Sequence, residues 1–324
     1  MRRMVRLGLF TVLAFAAFVY LNNTSFLATR HGEKPLVLAH RGLHQTFPTE
    51  GLAGDTCTAT RIFPPEHAYL ENTLDSMRAA FASGADIVEF DVHRTADGHF
   101  AVFHDWALDC RTDGKGTTHE RTLADLKALD IGYGYTADGG RSFPFRGKGV
   151  GLMPSLDEVL AAFPGKRFLI DIKNNDVEVG KALAERLSRL PADQRSRLMI
   201  HGGERAVAAL QTRLPELLAV RRSSLKACLL RYLALGWSGI VPAACRHGLI
   251  LVPVNYGRWL WGWPDRFLSR MQTVGSLVFV LGPWEGEGFS RGVDNPEEFR
   301  RLPMGFGGGV WTNRVDRIAP LVAR

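Results

Sequence analysis

Three short clusters of ionisable residues could do chemistry in this chain: His40-Arg41-Gly42, then Glu71-Asn72-Thr73 with Glu89-Phe90-Asp91, then His104-Asp105. His40 directly follows the apolar run Leu36-Val37-Leu38-Ala39, and His104 follows Ala101-Val102-Phe103. Glu89 and Asp91 are two residues apart, so on a strand they point to one face. Asp171 and Lys173 repeat that spacing in Phe168-Leu169-Ile170-Asp171-Ile172-Lys173. Carboxylates set in apolar strands are costly unless compensated. If they converge, they need a cation or they take up protons. Oxygen donors without cysteine suit Mg2+ or Ca2+ better than zinc. The competing reading is structural, with Glu89 and Asp171 in buried ion pairs to Arg41 and Lys173. Two imidazoles in one frame can divide the work of taking and giving a proton. Arg41 and Lys173 are cations suited to a phosphate. Together these groups describe in-line displacement at a phosphodiester.

Strands must bring these residues together. Strand-like runs fall at 36–39, 87–92, 100–103, 167–172, 198–200, 217–220, 249–254, 277–281 and 309–312. Helical patterns lie between them at 73–82, 155–163, 177–190, 204–214, 224–234 and 265–271, the second opening on a Ser155/Glu158 capping box. Such alternation argues an α/β fold with parallel strands, and about eight units would close a (β/α)8 barrel. The ninth run is accounted for by Thr95-Ala96-Asp97-Gly98, a turn signal that folds 87–92 and 100–103 into an antiparallel hairpin. A turn centred between Asp97 and Gly98 sets Asp91 opposite His104. The stretch 45–70 is a long polar insertion carrying Cys57, of the kind that shapes a site at the mouth of a barrel.

The 324 residues are 46% hydrophobic, enough for a sizeable core, and carry a net charge of +7. No basic block is interleaved with aromatics, so the charge points to membrane surfaces or phosphate-bearing substrates rather than nucleic acid. Arg2, Arg3 and Arg6 precede an apolar stretch, 7–21, and a polar Asn22-Asn23-Thr24-Ser25. Residues 1–33 thus read as a signal-anchor or signal peptide with its linker, and 34–324 as the barrel. The apolar stretch would span ~22 Å as a helix, short of a ~30 Å hydrocarbon core, a gap that flanking residues or local thinning would cover. The arginines would stay cytoplasmic and the rest of the chain would lie outside, anchored or, after cleavage, secreted or periplasmic. Four cysteines fit that location, and order along the chain pairs Cys57 with Cys110 and Cys228 with Cys245; four buried free thiols is the alternative. Arg258-Trp259-Leu260-Trp261-Gly262-Trp263-Pro264 is either loop packing or a foot at a membrane interface. Trp311 and Trp284 are candidates for the substrate pocket.

Several of these segments, in order and at fixed spacing, resemble the glycerophosphodiester phosphodiesterase family. They are Leu38-Ala39-His40-Arg41-Gly42, Glu71-Asn72-Thr73, Gly84 to Val92, Thr95 to Gly98, Val102-Phe103-His104-Asp105, Leu108 to Gly114, Met153 to Leu156 and Asp171-Ile172-Lys173. The resemblance implies a TIM barrel of the phosphatidylinositol-specific phospholipase C-like superfamily. It implies a divalent cation, Mg2+ or Ca2+, held by Glu89, Asp91 and Asp171, with Glu71 a further candidate ligand. It implies His40 and His104 as general acid and base, with Arg41 and Lys173 on the phosphate. The expected reaction is hydrolysis of a glycerophosphodiester to glycerol phosphate and an alcohol. A lysophospholipid or phospholipid headgroup is the alternative substrate, and a non-catalytic barrel that binds phosphorylated ligands is a second alternative. Departures are Asp171 where most members carry Glu, the insertion 45–70, and His201-Gly202-Gly203 in a region where similarity fades.

Overall fold

The computed structural model describes residues 2–28, 34–53, 56–286 and 291–322. Eight parallel strands and one antiparallel partner make a single sheet. The strands are β1 (Leu36–Ala39), β2 (Ile87–Arg94), β3 (Phe100–Val102), β4 (Arg167–Ile172), β5 (Leu198–Gly202), β6 (Leu218–Ala219), β7 (Leu249–Pro253), β8 (Leu277–Leu281) and β9 (Gly309–Thr312). Their order is β6-β5-β4-β2-β1-β9-β8-β7, with β3 paired to β2 outside that path. A single parallel bridge, Ala219 to Gly248, joins the two ends, so the sheet curls into a nearly closed (β/α)8 barrel, as expected.

Period-two alternation sorts each strand's side chains between two cores. Val88, Phe90, Val92, Phe168, Ile170 and Ile172 face outward, where Met77, Ala80, Leu183 and Leu187 of the surrounding helices cover them. Leu38, Ile87, Leu169, Met199, Leu251, Phe279 and Trp311 fill the barrel interior. Glu89 and Asp91 continue the Ile87 row, and Asp171 continues the Leu169 row. Parallel register sets Asp91 beside Asp171 and Asp171 beside His201, so three adjacent strands present polar groups at one level. The helices are positioned by local caps. Thr73 and Ser76 cap helix Leu74–Ala82 reciprocally, and Ser155 and Glu158 do so for Leu156–Ala162.

One expectation needs correction. The β2–β3 hairpin pairs Val92 with Val102, which puts Asp91 opposite Phe103, not His104. The loop holds three residues, Ala96-Asp97-Gly98, with Gly98 at φ +83°, and the odd residue moves the register by one. The N-terminal helix runs Arg2–Asn23, 22 residues, about 33 Å at the usual rise. Polar residues flanking the apolar stretch continue the helix, so Arg3–Asn23 is long and apolar enough to cross a membrane. Within the insertion 45–70, apolar residues pack down. Ala59, Ile62 and Leu70 share a small second core with Phe103, Leu108, Leu126, Ile131, Tyr135 and Phe145. Both expected disulfides form, and Cys57–Cys110 ties the insertion to that core. The boundary expected between residues 33 and 34 adjoins 29–33, which lie outside the described residues.

Candidate active site

The chain enters the site through a strained turn after β1. Arg41 at φ +55° and Gly42 at φ +78° both sit in the left-handed region. Gly42 has no alternative, because a Cβ there would lie 2.6 Å from Ser76 Oγ and 2.9 Å from the Ser76 backbone. A side chain at left-handed φ costs roughly 1–2 kcal/mol, and the turn is held by what it reaches. The Arg41 N–H donates to Glu89 Oε2 at 3.0 Å, and the Arg41 carbonyl accepts from Asn72 N–H at 3.1 Å. Asn72, also left-handed at φ +60°, clamps Asp91 twice. Its Nδ2 donates to Asp91 Oδ2 at 2.9 Å, and its Oδ1 accepts from the Asp91 N–H at 3.1 Å.

Glu89, Asp91 and Asp171 each offer an oxygen within 4.8 Å of the other two. Glu89 and Asp91 are 1% exposed, so water does not screen this repulsion. The charges respond unequally. Burial, then Asp91 and Asp171, push Glu89 well above the usual carboxylate range. Burial acts in the same direction on Asp91 and Asp171, but their cationic neighbours outweigh it and lower both. Lys173 Nζ lies 3.3 Å from Asp91 Oδ1 and 3.3 Å from Asp171 Oδ2. Arg41 Nε lies 3.2 Å from Asp91 Oδ2. The trio fits a hard cation by its all-oxygen donors and by Asp91 Oδ1, a buried atom with no hydrogen-bond partner. Glu71 stands apart from the trio. One of its oxygens faces Arg41 Nη1 at 3.1 Å, and the other faces Arg111 Nη2 at 3.2 Å. Two guanidiniums satisfy it here.

Each histidine is oriented through Nδ1. His40 Nδ1 lies 2.6 Å from Asn313 Oδ1. The Asn313 amide is fixed in turn, since its Nδ2 donates to Asp294 Oδ2 at 2.8 Å and its N–H donates to Asp294 Oδ1 at 2.6 Å. Asn313 Oδ1 can only accept, so His40 carries its proton on Nδ1. Its Nε2 lone pair then lies 3.7 Å from Glu89 Oε2. His104 Nδ1 lies 2.7 Å from Asp105 Oδ1, and Arg111 holds the other Asp105 oxygen. His104 is thus also a Nδ1–H tautomer with Nε2 unengaged by that bond. Burial, followed by Arg41 and His44, lowers His40 to about 3. Burial and then Arg41 hold His104 well below the usual imidazole range. Arg41 lowers and Asp91 raises the pKa of both rings, and burial keeps both neutral at pH 7.

Ion-pair contacts thus link His40, Arg41, Glu89, Asp91, Asp171 and Lys173, and Glu71 joins them through Arg41 and Arg111. Trp311 joins them, with its ring 5.3 Å from that of His40. Trp284 lies on the loop after β8 with its ring against Tyr256. Four participants had no role assigned from the sequence: Asn313, Asp294, Arg111 and His201. Asn313 was the most findable, two residues past Trp311 at a strand end. Arg111 needed the fold, because it bridges Glu71, Asp105, Thr58 and Tyr135 from separate segments. His201 Nδ1 lies 3.1 Å from Asp171 Oδ1. Burial would lower the His201 pKa, but the Asp171 charge outweighs it and raises it. A cavity of about 620 Å³ is lined by His44, Phe47, Phe63, Glu66, Asp294 and Arg314. The His44 ring is 6.1 Å from that of His40.

Residues 40–229 match the profile of the Glycerophosphoryl diester phosphodiesterase family. A glycerophosphodiester phosphodiesterase of Caldanaerobacter subterraneus subsp. tengcongensis is 32% identical over 140 residues, 43% of this chain and 45% of that protein. One from Bacillus subtilis is 38% identical over 115 residues, 34% of this chain and 38% of that protein. The chain thus aligns with less than half the length of these curated relatives. Among solved structures, a glycerophosphoryl diester phosphodiesterase domain of Mycobacterium tuberculosis superposes with a TM-score of 0.63 at 17% identity, covering 89% of this chain and 99% of that one. An Oleispira antarctica phosphodiesterase in complex with the product sn-glycerol-3-phosphate gives 0.55 at 19% identity, covering 90% and 98%. At these identities the structural likeness speaks to the fold.

Proposed function

Because this chain belongs to the glycerophosphoryl diester phosphodiesterase family, we propose that it hydrolyses a glycerophosphodiester to glycerol phosphate and an alcohol, with a bound divalent cation and His40 and His104 as the proton carriers. What supports this reading is the carboxylate trio with His40 Nε2 3.7 Å from Glu89, together with two imidazoles each fixed as its Nδ1–H tautomer. A cation on Glu89, Asp91 and Asp171 would supply charge stabilisation at the phosphoryl oxygens. Arg41 and Lys173 add positive charge at the same place and hold the phosphate. One imidazole takes the proton of the attacking hydroxyl through Nε2. The other gives a proton to the departing alkoxide, which leaves as the alcohol. Where the attacking hydroxyl is the substrate's own, a cyclic phosphate forms, and water opens it with the two roles exchanged. Both rings rest neutral, so the diester's negative charge is what lets one of them hold a proton in the complex.

The alternative substrate, a lysophospholipid or other lipid headgroup, draws support from the helix Arg3–Asn23 and from the aromatic walls of the cavity. The same helix, with two disulfides, supports an anchored domain outside the cytoplasm, or a secreted one after cleavage. The test is initial rates on soluble glycerophosphodiesters and on micellar lysophospholipids with Mg2+, with Ca2+ and with chelator. His40→Ala and His104→Ala should each lose roughly 10²–10⁴-fold in turnover. Near-parental rates in either variant would remove that histidine from the reaction, and rates indifferent to chelator would remove the metal.

A further inference from the structure

Between Leu217 and Pro264 there is no aspartate or glutamate, while Arg221, Arg222, Lys226, Arg231, Arg246 and Arg258 are all present. A stretch of that length with one sign of charge is unusual in a chain with 33 acidic residues. It runs from β6 through the helix Arg222–Leu235 to β7 and the aromatic loop after it. The helix Arg222–Leu235 buries Cys228 and Tyr232 toward the barrel. Its outward row, at helical spacing, reads Arg222, Lys226, Leu230, then Leu233 and Ala234, all exposed. The row is basic at its start and apolar at its end. Leu230 is 56% exposed, Leu233 40%, Ile240 56% and Trp259 62%, so each of these large apolar side chains faces solvent. The aromatic loop is fastened to this helix. Trp261 Nε1 donates to the Leu233 carbonyl at 2.8 Å, and the Trp261 carbonyl accepts from Tyr232 at 2.8 Å. Trp263 turns inward onto Phe267 and Phe306, so the loop divides between packing and exposure.

The root of the N-terminal helix docks on the same stretch. Asn22 Nδ2 and Asn23 Nδ2 both donate to the Trp237 carbonyl, at 3.0 and 2.8 Å. Arg270 holds the Asn22 carbonyl and Asn23 Oδ1 at 2.8 and 3.0 Å, and the Phe15 ring lies 5.3 Å from that of Trp237. The apolar end of the outward row therefore adjoins the point where the apolar helix leaves the barrel. An exposed apolar row with tryptophan and a basic flank is the composition of an interfacial surface. Cationic side chains close to a bilayer are drawn to anionic headgroups.

We propose that the wall made by helix Arg222–Leu235, Ile240 and Trp259–Trp261 is a second bilayer contact that seats the barrel on an anionic lipid surface. This rests on the reading that helix Arg3–Asn23 lies in a bilayer. With that helix pinned to the same wall, the barrel cannot turn freely about its tether. Leu230, Leu233 and Trp259 enter the headgroup zone, and Arg222 and Lys226 meet lipid phosphates. The occupant is lipid, and not a protein, because the one neighbour already seated at its edge is a helix suited to lipid.

The test uses the full chain reconstituted into vesicles, with a polarity-sensitive label at Leu233→Cys or Trp259→Cys. Glu185→Cys on an outer helix is the control, and Phe15→Cys reports the N-terminal helix. In vesicles of phosphatidylcholine with phosphatidylglycerol, quenching by doxyl lipids at 233 and 259 should exceed that at 185 several-fold. It should fall toward the control in phosphatidylcholine alone, and in Arg222→Glu/Lys226→Glu, while hydrolysis of a soluble diester is unchanged. Quenching at 233 equal to that at 185 overturns the proposal, as does indifference to charge reversal. Shielding at 233 that tracks protein density instead of lipid would assign the wall to a second copy and overturn it too. Because the readout is label quenching, an inactive enzyme would not affect the result.

Discussion

Removing the Asn313 side chain tests whether His40 works because it is held. Asn313 Oδ1 accepts from His40 Nδ1 at 2.6 Å, while Nδ2 donates to Asp294 at 2.8 Å. Asn313→Ala leaves a ring N–H without its acceptor and a carboxylate oxygen without its donor. An unmet buried polar group costs about 1–3 kcal/mol. The carboxylate's share falls on folding, because Asp294 does not touch the reacting groups. It is softened by burial, which raises the Asp294 pKa and lets that group take up a proton. The imidazole's share falls on the barrier, because the ring can then turn or adopt the other tautomer and withdraw Nε2 from the centre. A barrier increase of about 1.4–2.8 kcal/mol lowers kcat by roughly 10–100-fold. That is a smaller loss than deleting the ring. Cation affinity should hold, since Glu89, Asp91 and Asp171 are untouched. Phosphorus NMR of a glycerophosphodiester under saturation gives kcat, a calorimetric Ca2+ titration gives the affinity, and thermal unfolding reports the fold. A folded variant with kcat within about twofold of the parent would refute the reasoning. A parallel fall in cation affinity would show that Asn313 acts through the carboxylates instead.

A cation that binds only the fold should raise stability by about 2.7 kcal/mol at a hundredfold excess over its Kd. Thermal unfolding with and without Ca2+ measures this, and Asp171→Asn should abolish most of the gain. His93 is fully buried, and burial lowers its pKa to about 4. The unfolded chain takes up this proton first, so His93's contribution to stability is complete above pH 6.5 and is lost as pH falls toward 4. Between about pH 7.5 and 5.5 the parent should lose about 1.4 kcal/mol more than His93→Gln in urea unfolding; equal losses would contradict the shift. The disulfides close loops with sequence separations of 53 and 17 residues. Chain entropy predicts costs of about 4 kcal/mol for replacing Cys57 and Cys110 with serine and about 3 for Cys228 and Cys245. Denaturant titration would show the order, and a larger cost for the shorter loop would count against an entropic origin.

The alternation of apolar residues along 87–92 and 167–172 was enough to specify strands, faces and the acids on the inner face. That pattern is local, because side-chain direction in a strand depends only on parity. The capping box at Ser155 is local in the same way, and its helix begins directly after it, at Leu156. His40, directly after the run 36–39, was likewise legible as a residue at the C-terminal end of a parallel strand. The turn at Ala96-Asp97-Gly98 was legible as a turn but not in its length, and one residue moved the register. What only tertiary structure decided was partnership. Glu71 looks like a ligand among carboxylates until Arg111, forty residues away, takes one of its oxygens. Asn313 and Asp294 gain meaning only when closure brings β9 beside β1 and His40 within reach. The sequence determined which groups lie at the barrel's mouth, because strand parity is written residue by residue. Closure of the sheet decided which of them touch, because a buried charge is satisfied by whichever partner the fold delivers, however distant in the chain.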